Sequence, residues 1–317
     1  MSNLQAAVAL LGKARRIVFT GMGGSYFATL PAVRQLASYG VVAEAIETAE
    51  LLHFGLETVT HGTVVVLVSR SGETVEAIRL LPHLLERGAL VIGVTNVRGS
   101  TVERESTTSI FLNSLPDKMV AVQSYSASVA VLLLLAEAAL QRPLQPWRNA
   151  LEATCELLET AIPSAVAESE AWVEFLHPAP VVHLMGRGPS LASALEGALL
   201  FNESARTPSS AMSGAQFRHG PVEIVGSTLR AIIFASQPAT RELDLALASD
   251  LKAMGGGVRV CDAQNAPTPF QPLVEIVPVQ VAACALALSK GLDPGDFRYA
   301  TLVTATESGF HGPNAKE

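Results

Sequence analysis

The segment Ser69-Arg70-Ser71-Gly72-Glu73-Thr74 puts three hydroxyls, a guanidinium and a glycine into one short stretch. It follows the apolar run Val64 to Val68 and precedes a segment with helical spacing over residues 75–86. A phosphate group needs several hydrogen-bond donors arranged as a cup, and a helix start supplies free backbone N–H groups with a favourable dipole. Gly72 lets the backbone approach an anion closely, the hydroxyls of Ser69, Ser71 and Thr74 line the cup, and Arg70 can add charge-assisted bonds. The alternative is purely structural, with Ser71 or Thr74 capping the helix and Glu73 supporting its first turn. A second small-residue turn, Gly21-x-Gly23-x-Ser25, is placed in the same way after a β-branched run. It lacks the third glycine of a dinucleotide fingerprint, so Gly23 and Ser25 are read as a second wall of the anion site.

Acid–base chemistry has its own candidates. Glu196 and Glu203 are seven residues apart in a stretch otherwise rich in Ala, Leu and Phe, which places both on one helix face. Burial raises a carboxyl pKa and makes such a group a usable base. His219 lies in a polar stretch ending in Gly220-Pro221 and is free to reach a ligand. The solvated helix face and the satisfied structural histidine are the competing readings. The histidines and the cysteines Cys155, Cys261 and Cys284 form no metal or redox spacing, so no metal and no cofactor are expected.

These residues need elements to hold them. β-Branched runs at residues 17–19, 41–46, 64–68 and 90–94 alternate with longer segments of period near 3.6, the pattern of βαβ units and of a parallel sheet covered on both faces. Runs at 181–185, 231–235, 258–260 and 273–277 repeat the scheme. Gly21-x-Gly23-x-Ser25 matches Gly186-x-Gly188-x-Ser190, and the 65–74 segment matches 232–240 at a similar offset, which reads as a duplication. The expected fold is α/β with two lobes, residues 1–145 and 146–317, joined near residues 141–146, where QRPLQP breaks the helical pattern. Each lobe is expected to be a parallel sheet flanked by helices, a flavodoxin-like three-layer sandwich.

At 317 residues the chain has room for both lobes. Hydrophobic residues at 49% against 16% charged predict that a partner subunit covers part of the surface. A net charge of −7 argues against nucleic-acid or acidic-membrane partners. The cysteines read as buried thiols of a cytoplasmic protein. The start has no leader pattern, and the most apolar stretch, residues 129–140, is too short to span a bilayer and carries Glu137. No role is expected for the tail, residues 308–317.

LVSRSGETVEAI, the 194–199 helix segment ALEGAL and Phe217-Arg218-His219-Gly220-Pro221 together resemble the isomerase half of glucosamine-6-phosphate synthase, built from two sugar isomerase (SIS) domains. The likeness runs from about Arg16 to Glu307. It implies that Ser25, Ser69, Ser71 and Thr74 hold a sugar phosphate, with Arg70 standing where the family commonly has Gln. It implies that Glu203 is the carboxylate base and His219 the ring-opening histidine, entering from the neighbouring subunit of a homodimer. Val120 to Gln123 matches a sugar-contacting loop without its usual serine and threonine, and Leu200 and Leu302 stand where family members carry lysines.

The expected activity is that of a phosphosugar isomerase, or an amino-sugar phosphate deaminase or deglycase, acting by enolisation at C1 and C2. With no glutamine-hydrolysing segment ahead of it, the chain is not expected to make ammonia from glutamine. The alternative is a sugar-phosphate-binding protein without turnover, although no helix-turn-helix module precedes Arg16. A dinucleotide enzyme on a similar fold is the third reading.

Overall fold

The computed structural model describes residues 3–177 and 179–308; His311 and Lys316 of the tail lie outside the described residues. Two compact units emerge, one formed by Met1–Trp147 with Phe297–Glu317 and the other by Arg148–Asp296. The sequence boundary put everything after residue 146 into one domain. The units instead group the last stretch with the first one, through contacts described below.

In the first unit, β1 (Arg16–Gly21), β2 (Ala43–Glu47), β3 (Thr63–Val68), β4 (Leu90–Thr95) and β5 (Thr108–Phe111) form a parallel sheet in the order β2-β1-β3-β4-β5. The central strand β3 is TVVVLV, buried at every position. That is what a strand covered by helices on both faces requires. Val65 and Leu67 pack with Leu80, Leu81 and Leu84 of the Val75–Glu86 helix. β1 and β3 run flush, with Gly21 opposite Val68, so the turns that follow them emerge side by side.

The second unit has a parallel sheet of β6 (Val182–Met185), β7 (Ser209–Met212), β8 (Arg230–Phe234) and β9 (Gly257–Cys261) in the order β7-β6-β8-β9. Met185, Ile233, Phe217, Leu247 and Leu251 form its core. Numbered from its own first strand, this order repeats that of β2-β1-β3-β4.

Three sequence expectations change. Residues 273–277 are not a strand: Gln271–Glu275 and Val277–Ser289 are helices. A short apolar run bounded by Pro272 and Pro278 has no period to separate the two states, and both prolines sit well in first helical turns. The strands β5 and β7 were not anticipated. Cys155 and Cys284 are exposed, and only Cys261 is a buried thiol, its pKa pushed up by burial. Finally, the 129–140 stretch is too short to cross a membrane, as expected, but among the described residues Gln271–Ser289 forms a longer apolar helical stretch that the sequence reading did not consider. It is 56% buried within the protein, as a core helix would be.

Candidate functional site

In an open sheet of order 2-1-3-4-5, the crevice lies where the chain reverses direction of build, at the carboxyl ends of β1 and β3. The two motifs singled out from sequence occupy those positions, the Gly21–Ser25 turn after β1 and the Ser69–Thr74 loop after β3. Gly21 admits no side chain, since a Cβ there would lie 2.8 Å from the Ser25 backbone. Gly23 follows with φ of 50° and opens the short Gly24–Phe27 helix that carries Ser25.

The Ser69–Thr74 loop is held from several sides. Ser69, 3% exposed, donates its N–H to Val94 O at 2.9 Å, and its Oγ accepts from Gly72 N at 3.1 Å and sits 3.1 Å from Thr74 Oγ1. The Glu73 N–H donates to Ser71 Oγ at 3.1 Å. Gly72 has φ of +65°, and a Cβ there would stand 2.2 Å from Ser100 Oγ. Glycine is therefore required on both conformational and steric grounds. Thr74 is at the N-cap of the Val75–Glu86 helix but makes no side-chain capping bond; its Oγ1 faces Ser69 Oγ instead. Glu73 is likewise engaged elsewhere, accepting from Thr101 N at 2.7 Å and Thr101 Oγ1 at 2.9 Å.

Arg70 does something the sequence did not suggest. Its carbonyl accepts from Asn96 N, and its guanidinium donates to Met119 O at 3.2 Å and Leu302 O at 3.3 Å. It thus ties the loop to the segment before Val120 and to the stretch after Phe297. That stretch is further anchored by Glu307, which pairs with Arg79 and with His53 at 2.9 Å. Val120 is half-buried and Gln123 exposed, at the entry to the Gln123–Ala139 helix. Asp117, which sequence reasoning missed, accepts from Gln123 N at 2.9 Å and Ser124 N at 3.0 Å, closing two of the donors that a helix start leaves open. An Asp six residues ahead of an apolar helical run was the available signal.

The acid–base candidates belong to the second unit. Glu196, 1% exposed, and Glu203, half-buried at the last position, share the Ser190–Glu203 helix. Leu200 lies between them, 2% exposed, so no amine stands at that place. His219 is exposed, just beyond the Gly214–Arg218 helix and before Gly220, whose φ is 127°. Nearby, Arg187 Nε donates to Asp244 Oδ1 at 2.7 Å, and Asp244 also accepts from Thr240; burial nevertheless raises the Asp244 carboxyl. His183 faces Ser210 Oγ at 2.9 Å, and burial lowers its pKa. Among the described residues, no group of three or more His, Cys, Asp or Glu could hold a metal ion.

The glycine turns and the hydroxyl-rich loop at the switch point of the first unit's parallel sheet fall inside a segment that is similar to the SIS domain. The SIS-domain model matches residues 10–139, nearly all of the first unit's sheet and its helices. Over most of its length the chain is also 27% identical to glutamine–fructose-6-phosphate aminotransferase (isomerizing) of Pyrobaculum aerophilum, covering 92% of this chain and 52% of that protein. The corresponding Pyrococcus horikoshii protein is 27% identical, with coverages of 90% and 51%. The chain thus spans about half the length of the curated relatives it matches.

Solved structures share the fold. The C-terminal domain of glucosamine-fructose-6-phosphate aminotransferase from Francisella tularensis superposes with a TM-score of 0.83 at 20% identity, covering 90% of this chain and 87% of that one. Glucosamine-6-phosphate deaminase of Thermotoga maritima gives a TM-score of 0.76 at 20% identity, with coverages of 95% and 99%. Tagatose-6-phosphate ketose/aldose isomerase of Escherichia coli gives 0.74 at 18% identity, with coverages of 92% and 88%.

Proposed function

We propose that the protein is an enzyme that binds a sugar phosphate, with the phosphate in the cup formed by Ser25, Ser69, Ser71 and Thr74, and that it enolises the C1–C2 end of that sugar. The products would be those of a phosphosugar isomerase or of an amino-sugar phosphate deaminase or deglycase. The observation that carries this reading is the built state of the Ser69–Thr74 loop. The hydroxyls of Ser69 and Thr74 lie 3.1 Å apart around the left-handed Gly72, and that of Thr74 is not spent on capping the helix. The names of the relatives and the shared fold support it.

In the proposed reaction a carboxylate removes the proton from the carbon beside the carbonyl, the carbonyl oxygen is protonated to give an enediol, and the proton returns to the neighbouring carbon. Glu203 is the base in this scheme, Glu196 a buried second carboxyl, and His219 the acid that opens the ring. His219 is exposed in the single chain, which suits a residue that reaches into the site of a second subunit. The repeated strand order and the matched glycine turns support a duplication of one SIS-type lobe, the second copy beginning near residue 146 and ending before the stretch from Phe297 that returns to the first unit.

The test is deuterium uptake. With ketose and aldose phosphates in heavy water, the native protein is expected to place deuterium at C1 or C2, and Glu203→Gln to abolish this while sugar-phosphate binding persists. Tight binding without exchange for any ligand would move the protein to a second reading, a sugar-phosphate-binding protein without turnover. Leu200 and Leu302 favour that alternative, because both stand where family members carry an amine.

A further inference from the structure

The second unit repeats the crevice of the first, and there the crevice is filled. A Cβ on Gly186 would lie 2.2 Å from Ser190 O, as one on Gly21 would crowd Ser25. Gly188 has φ of 56°, close to the 50° of Gly23. Ser190 begins the helix after β6 as Ser25 sits in the helix after β1, and Ser236 follows β8 as Ser69 follows β3. β6 and β8 are neighbours in register, so these turns too emerge together.

At this place lies the side chain of Glu275, 2% exposed. Its Oε2 accepts from Ser190 Oγ at 3.0 Å and its Oε1 from Ser193 Oγ at 2.7 Å. The Ser236 hydroxyl adds a further bond, and Gln237 Nε2 braces Ser190 Oγ at 3.0 Å. All three serines are fully buried. No cation is among the groups acting on this carboxyl; the charged neighbour is Asp262, which repels it. A buried carboxyl without a counter-ion is expensive unless donors surround it. A crevice meant only to be filled would hold a leucine among apolar neighbours. This one presents a ring of hydroxyls to two oxygens.

We propose that the second crevice is an oxyanion cup of the same design as the first, occupied by the chain's own Glu275, so that cutting back this side chain opens a latent site for inorganic phosphate or a phosphate monoester. The parallel rests on reading the first crevice as a phosphate cup; the donors around Glu275 stand independently of it. A cavity of about 290 Å³ has Glu275, Thr160, Ser164 and Asn265 in its walls, so the Glu275 side chain stands between it and the buried serines. Glu168 and Asp262 share those walls, so binding is expected to be weak and salt-sensitive. The consequence for the native protein is one phosphate site per chain, although two crevices are built for it.

The experiment uses the full chain and inorganic phosphate against chloride at matched ionic strength, read by thermal unfolding and by calorimetric titration. Glu275→Ala is placed in a Ser69→Ala, Ser71→Ala, Thr74→Ala background, where the first cup is disabled. That background alone is expected to bind no phosphate, and adding Glu275→Ala to create one site per chain. At about ten times its Kd, phosphate then raises the folded-to-unfolded ratio roughly tenfold. Phosphate binding that survives the three alanines would count against the first cup, not this one, because the new site is read as a further equivalent. A folded Glu275→Ala chain with no added phosphate site overturns the proposal. So does a Glu275→Ala chain that folds in neither salt while Glu275→Gln folds in both, since volume rather than an anion would then be what the crevice requires.

Discussion

The backbone N–H of Val75 donates to the carbonyl oxygen of Thr304 at 3.0 Å. One of the open donors at the head of the Val75–Glu86 helix is thus closed by a carbonyl from the far end of the sequence, and Thr74 contributes no cap of its own. With Arg70 bonded to Leu302 O and Glu307 to His53 and Arg79, the stretch after Phe297 is a structural part of the first unit.

Replacing Arg70 with alanine removes both carbonyl bonds at once. Hydrogen bonds to charged groups contribute about 1.5–3 kcal/mol each when well formed, and less where exposed. The expected outcome is faster amide exchange and proteolysis in the 297–308 stretch and around Met119. Sugar-phosphate affinity should fall about tenfold, with little change in overall Tm. An Arg70→Ala protein with unchanged exchange in both segments would show that the guanidinium holds neither.

Gly72→Ala meets two obstacles, a left-handed backbone and the Ser100 side chain. The first costs about 1–2 kcal/mol for a residue with a Cβ. The second displaces the Ser100 cap, whose Oγ accepts from Glu103 N, so the total loss is expected to exceed 2 kcal/mol, roughly. Chemical denaturation of Gly72→Ala beside Gly72→Ala/Ser100→Gly separates the two. The double variant should recover the steric part and leave the backbone part.

Asp117→Ala opens the two donors at the start of the Gln123–Ala139 helix. A lost cap costs about 1 kcal/mol, with the favourable charge at the helix head lost as well. Stability should fall by that order, and the KM for a sugar phosphate should rise, because Val120 to Gln123 form the entry to the same helix. Asp117→Asn, which keeps an acceptor, should recover most of the Tm.

His183 predicts a pH dependence. Burial lowers its folded pKa beneath the ordinary 6.5, so the unfolded chain binds more protons between the two values. Its contribution is present above pH 6.5 and is lost as pH falls through that value toward the folded pKa. Tm is therefore expected to drop on acidification below 6.5, and His183→Gln to flatten that part of the curve. A His183→Gln profile parallel to the native one in this window would remove His183 as its source.

Much of the fold was legible because β1, β3 and β8 are central strands whose burial on both faces forces the apolar runs Ile17-Val18-Phe19, Val64 to Val68 and Ala231 to Phe234. The glycine turns could be read because close approach and positive φ leave few other residues. β7 was not legible: Ser-Ser-Ala-Met carries neither alternation nor β-branching, and only pairing with β6 makes it a strand. The roles of Arg70 and Asp117 were hidden for a related reason. Their partners are backbone carbonyls and N–H groups, which every residue possesses and no pattern of side chains reveals. Glu275 escaped notice because its segment was taken for a strand, where neighbouring side chains alternate; in the helix it reaches serines more than eighty residues upstream.

The order of synthesis adds a constraint. Leu302, Thr304 and Glu307 leave the ribosome after every residue of the second unit, yet it is the first unit's Ser69–Thr74 loop and the helix behind it that they brace. A nascent chain can assemble both sheets and still lack the last carbonyls around Arg70 and Val75. Trimming a few residues inside the 302–307 stretch should therefore damage ligand binding at the amino-terminal half while leaving the nearer, carboxyl-terminal unit folded.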